Sequence, residues 1–191
     1  MSAAIDHLVV MATNLDDGVA WCETRLGVTP SAGGEHPLMG THNRVLNLSS
    51  PGFENAYLEV IAINRGASLE RPAGARRWFD MDDADLRERV ALHGPQLIHW
   101  VARVPDIEPA VLALKALEVE RGAVLQASRG TLRWHITVRD DGRRLFDGCL
   151  PTLIQWGIEH PCLTMPACGM TLQGLRVTHP QANTLRAAYG A

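Results

Sequence analysis

Hydrophobic positions along this chain switch period in a regular order, and they do so twice. Residues 5–12 are short, apolar and β-branched, which predicts a strand. Leu15, Val19, Cys22 and Leu26 then recur at helical spacing on one face. With Asn14 as N-cap and Gly27 as the stop, they predict a helix over 15–26. After Gly33-Gly34, the segment Gly40-Thr41-His42-Asn43-Arg44 leads into Val45–Leu48. A turn at Ser49-Ser50-Pro51-Gly52 and a strand at 56–63 follow. The order is strand, helix, then two or three strands.

The second half repeats this order. Residues 96–104 predict a strand, and Ile107, Ala110, Val111, Leu114 and Leu117 form the buried stripe of a helix capped by Asp106. Gly130-Thr131 echoes Gly40-Thr41 and opens a strand at 132–138. Asp140-Asp141-Gly142 predicts a tight turn before a last strand at about 150–157. The similarity holds at a fixed offset: His7 answers to His99, Asn14-Leu15 to Asp106-Ile107, and Val19 to Val111. The chain therefore divides into a first module at 1–63, a connector at 64–95, a second module at 96–160 and a C-terminal extension at 161–191. The connector is rich in charge, carries Trp78-Phe79 and predicts a short helix at about 82–92. The extension predicts a strand at Leu172–Val177 and a short helix at Asn183–Ala188.

Composition narrows the class without naming it. The 191 residues, 46% hydrophobic and 20% charged, fit one sizeable globular domain or two small fused modules. A net charge of −3 with no basic stripe argues against nucleic acid as a partner. No apolar run approaches the roughly 20 residues of a membrane helix. A strand that begins by Ile5 leaves no room for a signal peptide, so the chain reads as cytoplasmic. Cys22, Cys149, Cys162 and Cys168 form no CxxC pair and read as reduced thiols, Cys22 being a small core residue.

Chemistry enters through the alternation of strand side chains. Ile5, His7 and Val9 share one face of the first strand, and Tyr57, Glu59 and Ile61 share one face of the last strand of that half. The second half groups Leu97, His99 and Val101, and likewise Leu153, Gln155 and Gly157. A carboxylate amid apolar strand residues is expensive to bury unless it is paired or coordinates a metal. His7, His99 and Glu59, with the amide oxygen of Gln155, offer a mixed nitrogen and oxygen set that suits Zn, Ni, Co, Mn or Fe(II). A lone strand histidine is more often structural; two at repeat-equivalent positions favour a site. For Gln155 a ligand role and a hydrogen bond to water or substrate stay equally open. His42, Asn43 and Arg44 read either as a polar loop mouth or as the substrate-binding rim of a cavity, with Arg44 or His42 meeting an anionic or carbonyl group. Trp21, Trp78, Trp100, Trp134 and Trp156 read as packing, and His160 as part of a strand exit.

Five segments taken together resemble the vicinal-oxygen-chelate superfamily, which includes glyoxalase I, extradiol dioxygenases and bleomycin-resistance proteins. They are Ile5-Asp6-His7-Leu8-Val9, Gly40-Thr41-His42-Asn43-Arg44, Tyr57-Leu58-Glu59-Val60-Ile61-Ala62, Leu97-Ile98-His99-Trp100-Val101 and Leu150-Pro151-Thr152-Leu153-Ile154-Gln155-Trp156. More narrowly, the chain is similar to bacterial glyoxalase-like domain proteins. The resemblance implies an α+β fold in which two βαβββ modules form a curled, mixed half-barrel sheet with helices outside. It implies metal ligands at His7, Glu59, His99 and Gln155, the last in place of a more usual glutamate. It also implies a metal-dependent lyase or isomerase that stabilises an enolate or enediolate of a small oxygenated substrate, with Glu59 as the catalytic proton shuttle. An Fe(II) extradiol-type dioxygenase and a metal-free binding protein are the alternatives, and a homodimer is compatible with all three.

Overall fold

The computed structural model describes residues 3–190; residues 1, 2 and 191, at the outer ends of the predicted first module and C-terminal extension, lie outside it. Eight strands form one mixed sheet: β1 (Ala4–Met11), β2 (Ser31–His36), β3 (Thr41–Asn47), β4 (Tyr57–Ile63), β5 (Gln96–Arg103), β6 (Ala123–Arg129), β7 (Leu132–Val138) and β8 (Thr152–Trp156). Their order across the sheet is β2-β3-β4-β1-β5-β8-β7-β6. Each half thus contributes four consecutive strands. β1 runs parallel to β4, β5 runs parallel to β8, and the halves join where β1 and β5 pair antiparallel. This is the expected curled half-barrel of glyoxalase-like α+β architecture.

The helices α1 (Leu15–Leu26) and α3 (Ile107–Ala116) form where the periodicity places them. Asn14 caps α1 by accepting from the Asp17 amide at 2.9 Å, and Gly27 closes it at φ 70°, where a side chain would be strained. α1 lies over the outer face of β3 and β4, where Val10, Cys22, Leu46, Leu58 and Val60 pack together. α3 covers β8 through Ile107, Leu114 and Leu153. The connector departs from the picture of helices outside only. Its helix α2 (Ala84–His93) sends Leu86 and Val90 into the concave side, where they join Trp78, Phe79, Met81, Val9 and Val101. The connector fills part of the hollow, and the cavity that remains is divided.

The extension runs differently from its prediction. Leu172–Val177 forms no strand: the Leu172 amide bonds Leu48 at 2.9 Å, but no neighbouring strand continues the ladder. The segment instead straps the outer face. Met170 and Leu172 pack beneath the first half, and Leu185 and Ala188 of helix α4 (Ala182–Tyr189) pack on the second. Among the described residues no helix is long and apolar enough to cross a membrane, and the four cysteines are free thiols.

Candidate functional site

A register shift in β1 creates the first half of the site. Between Ile5 and His7 the pairing with β5 slips by one residue, so Asp6 has no partner on that strand. Ile5 turns outward to the cluster beneath α1, whereas Asp6 and His7 are both buried. Asp6 collects three donors. His7 Nδ1 lies 2.7 Å from Oδ1, and Trp156 Nε1 donates to Oδ2 at 2.9 Å. His160 Nε2 lies 3.1 Å from Oδ2, and its Nδ1 accepts from the Cys162 amide, so Nε2 carries the proton. Arg103 adds a guanidinium 3.7 Å away. Burial pushes the Asp6 carboxyl up, but the hydrogen bonds of His160 and His7 outweigh it and bring the pKa down to about 2. Asp6 is therefore ionised and can only accept.

That fixes His7. Its Nδ1 must carry a proton toward Asp6, which leaves the Nε2 lone pair free in the neutral ring. Nε2 faces Glu59 Oε2 at 3.7 Å, with Tyr57 stacked on the imidazole at 4.5 Å. Glu59 is 4% exposed and takes a 2.6 Å hydrogen bond at Oε1 from Asn43 Nδ2. Asn43 is oriented in turn by the Gly34 amide, which donates to its Oδ1 at 2.8 Å. His36 completes the group, with Nε2 3.9 Å from Glu59 Oε1 and Nδ1 3.1 Å from the Thr41 hydroxyl. Burial brings the His36 pKa down to about 4 against the opposing pull of Glu59, so this imidazole is neutral.

Arg129 reaches the same pocket from the opposite edge of the sheet. β2 and β6 are the two edges, and the guanidinium of Arg129 crosses to Gly34, where a Cβ would lie 2.4 Å from the arginine Cδ. Gly33 is equally constrained: a Cβ there would fall 2.0 Å from Asn43 Oδ1. The Gly33-Gly34 pair thus admits the two side chains that hold the carboxylate side of the site. Among the described residues, Arg129 Nη1 is buried and has no hydrogen-bond partner. The pocket between His7, Glu59, Asn43, Arg129 and Trp156 offers about 30 Å³ to a water-sized guest, room for a reactive group rather than a whole substrate. A cleft of about 240 Å³ adjoins it, sharing His36, Trp78, Trp134 and Ile136, and opens between the edge strands.

The second half does not reproduce this chemistry. His99 is as buried as His7, but both its nitrogens are taken. The Thr152 amide donates to Nε2 at 3.2 Å, so Nδ1 carries the proton and donates to the Gly148 carbonyl at 3.2 Å. Burial, aided by the charges of Arg121 and Arg144, holds its pKa well below the ordinary range. Phe79 lies against the ring at 4.9 Å and stands between it and the Glu59 pocket. Strand register explains the asymmetry. Val9, two residues after His7, pairs with Glu59, and Val101, two residues after His99, pairs with Thr152. The repeat-equivalent of Glu59 is Thr152, not Gln155.

Four of the expected site residues therefore need correction. Gln155 faces the helices, where its Oε1 accepts from the Ile107 amide at 2.9 Å at the start of α3. His99 has no lone pair left for an ion. His42 and Arg44 lie on the outer face of β3 with Leu46, because Asn43 and Val45 take the inward positions. Asn43 does enter the site, as the residue that orients Glu59. The four-ligand metal site does not assemble: among the described residues no group of three or more His, Cys, Asp or Glu is placed to hold an ion. Asp6, His36, Arg129 and His160 were not anticipated. The Gly33-Gly34 pair, where Gly34 makes room for Arg129, is the sequence feature that bears on one of them. A mostly apolar cavity of about 420 Å³ lies on the outer side between α3 and Tyr189, away from these groups.

A two-module half-barrel with a buried carboxylate and imidazole on its inner strands defines a glyoxalase-type protein. The chain belongs to the glyoxalase-like domain family, which it matches over residues 5–191. Among solved structures it is similar to the Streptomyces coelicolor methylmalonyl-CoA epimerase variant in complex with 2-nitronate-propionyl-CoA, at 17% identity and a TM-score of 0.50, covering 84% of this chain and 99% of that one. A methylmalonyl-CoA epimerase in complex with methylmalonyl-CoA and NH4+ gives 17% identity and a TM-score of 0.50 over 87% and 100% of the two chains. A hypothetical protein from Staphylococcus aureus gives 18% identity and a TM-score of 0.57, over 83% of this chain and 60% of that one. No curated protein sequence matches it.

Proposed function

We propose that this chain is an isomerase- or lyase-type enzyme that moves a proton at a carbon beside a carbonyl, in a small, oxygen-rich, anionic substrate. The observation that carries this is the His7–Glu59 pair, 3.7 Å apart, with His7 locked by ionised Asp6 so that its Nε2 lone pair points at the carboxylate. Glu59 takes the proton from carbon and returns it, and His7 Nε2 accepts the proton of a substrate hydroxyl and returns it to the neighbouring oxygen. Asn43 holds Glu59 in register. Arg129, with a buried donor to spare, binds a substrate carboxylate or similar oxyanion, the role first expected of Arg44. The reacting end enters the small pocket and the remainder lies in the adjoining cleft. Epimerisation, the activity for which two of the structural neighbours are named, belongs to this reaction class.

The free His7 Nε2 and Glu59 Oε2 also favour a second reading, in which a divalent ion rests on these two side chains and on substrate oxygens. His99 and Gln155, its other expected ligands, are already engaged by Thr152, Gly148 and Ile107. Metal analysis of protein purified without chelators, compared with His7→Gln, separates the two. Loss of a stoichiometric ion in the variant selects the ion; equal trace metal in both selects the proton pair. Oxygen uptake with catechols tests the dioxygenase alternative on the same samples.

The direct test is exchange of substrate C–H for deuterium in D2O, followed by proton NMR over a panel of 2-hydroxy ketones, hemithioacetals and malonyl-type thioesters. Glu59→Gln keeps the fold, and exchange of the responsive compound falls by about 10²–10⁴-fold, the usual worth of a positioned acid or base. Wild-type exchange rates in Glu59→Gln, or ligand binding with no exchange by the wild type, exclude this mechanism.

A further inference from the structure

On the far side of Phe79 lies a second polar cleft with a different character. Arg121, in the segment between α3 and β6, is 4% exposed. A guanidinium that deep normally faces a carboxylate. Among the described residues Arg121 has no such partner: Nη2 donates to the Pro151 carbonyl, and Nε is buried with no hydrogen bond at all. Burial and the like charge of Arg139 bring its pKa down to about 10, so it keeps its proton at neutral pH without any acid to stabilise it.

The cleft that Arg121 lines is rich in arginine. Arg139, Arg143 and Arg144 also face it. Arg139 is bidentate to Asp141 at 2.9 and 2.7 Å, and Arg144 contacts Asp80 at 3.0 Å. Among the described residues, that leaves the guanidinium groups of the exposed Arg143, whose main-chain amide bonds Asp141 at 3.1 Å, and of the buried Arg121 without a carboxylate in ion-pair contact. The neutral His99 and the hydroxyls of Thr137 and Thr152 supply the remaining polar lining. Space for a water-sized guest is about 20 Å³, enough for one or two ligand oxygens with the rest of the ligand outside. We propose that this cleft is an oxyanion site, distinct from the Glu59 pocket, in which Arg121 binds the carboxylate or phosphoryl end of a ligand and Arg143 guards the mouth. The bound anion supplies the counter-charge that the interior lacks, which explains why an arginine rather than an apolar residue occupies this position.

Inorganic phosphate and, separately, acetate are titrated into the full chain by calorimetry at constant ionic strength, with thermal unfolding read in parallel. Saturable binding of either anion at one site, with a rise in Tm, is the expected result; phosphate binding identifies a phosphoryl ligand and acetate binding alone a carboxylate. Arg143→Gln, at an exposed position, weakens binding by about tenfold, the worth of one charge-assisted hydrogen bond. Arg121→Met abolishes it, and Glu59→Gln leaves it unchanged, which keeps this test independent of the proposed catalytic pair. The site is disproved if neither anion saturates the wild type, or if Arg143→Gln binds as the wild type does, a comparison that stands even where Arg121→Met does not fold.

Discussion

His7 and His99 occupy equivalent positions on the two central strands, and both are almost fully buried. The first has an ionised aspartate on one nitrogen and an open lone pair on the other. The second spends both nitrogens on the main chain and Thr152. Glu59 stands two residues along from the partner of His7, and Thr152 occupies the corresponding place beside His99. A duplicated fold thus supplies two similar frames, and small substitutions decide which becomes reactive. A carboxylate at the paired position makes an imidazole with a free lone pair chemically useful; a threonine there closes the imidazole into the scaffold. The connector enforces the division, since Trp78 and Phe79 fill the space where the two rings would otherwise meet.

The largest effect that could break this comparison comes from exchanging each histidine in turn. His7→Gln should lower proton exchange by about 10²–10⁴-fold. His99→Leu should leave exchange within about threefold. It strands the Thr152 amide and the Gly148 carbonyl, at a stability cost of roughly 1–3 kcal/mol read by urea unfolding. Equal losses of exchange in both variants would mean that the halves share one site, and the asymmetry drawn here would be wrong.

Asp6 sharpens the comparison on stability. Asp6→Asn removes the charge that organises His7, Trp156, His160 and Arg103, and should cost about 3–5 kcal/mol. The pH dependence separates the halves further. Asp6 falls from 3.8 in the unfolded chain to about 2 in the fold, so the stability it contributes is present above 3.8 and is lost as pH drops toward 2, roughly 2–3 kcal/mol in all. His36 and His99 act higher. Both are neutral in the fold, so the unfolded chain takes up protons first and stability falls as pH drops below 6.5, reaching about 4 for His36. Urea unfolding between pH 7 and 2 should show both windows. Asp6→Asn should flatten the lower one and His99→Leu should reduce the upper one.

Much of the fold and half of the site were legible in the residues. The repeat, the caps Asn14 and Asp106 and the helical stripes fixed α1 and α3, and alternation placed Glu59 and His7 inward. The edge strands β2 and β6 were harder to see, because Ser31–His36 carries little hydrophobic alternation and is held by pairing to β3. The inward turn of Asp6 was hidden by the bulge, which sets aside the two-residue period on which the prediction rested. Arg129 meets Glu59's pocket only through closure of the sheet, in a contact with Gly34, 95 positions earlier, that no local pattern encodes. Alternation groups Gln155 with Leu153 and Gly157 but does not say which side of β8 is the cavity, and the Ile107 contact places it on the helix side.

Gln155 also gives the smallest and most discriminating test. Its Oε1 accepts from the Ile107 amide, one of the first-turn donors of α3 that has no carbonyl partner within the helix, while Asp106 accepts from the Glu108 amide at 3.3 Å. Gln155→Ala should therefore behave as loss of a helix cap, costing about 1 kcal/mol and lowering Tm by roughly 2–4 °C. Proton exchange and metal content should stay at wild-type values, because the side chain is on the helix side of the sheet. An unchanged Tm with a hundredfold loss of exchange, or loss of a bound ion, would place Gln155 in the cavity after all. In that case β8 would have to present its other face to the hollow, moving Ile154 and Trp156 out of the core, and Trp156 could not also donate to Asp6. The capping contact and the Asp6 network thus stand or fall together, and one alanine variant examines both.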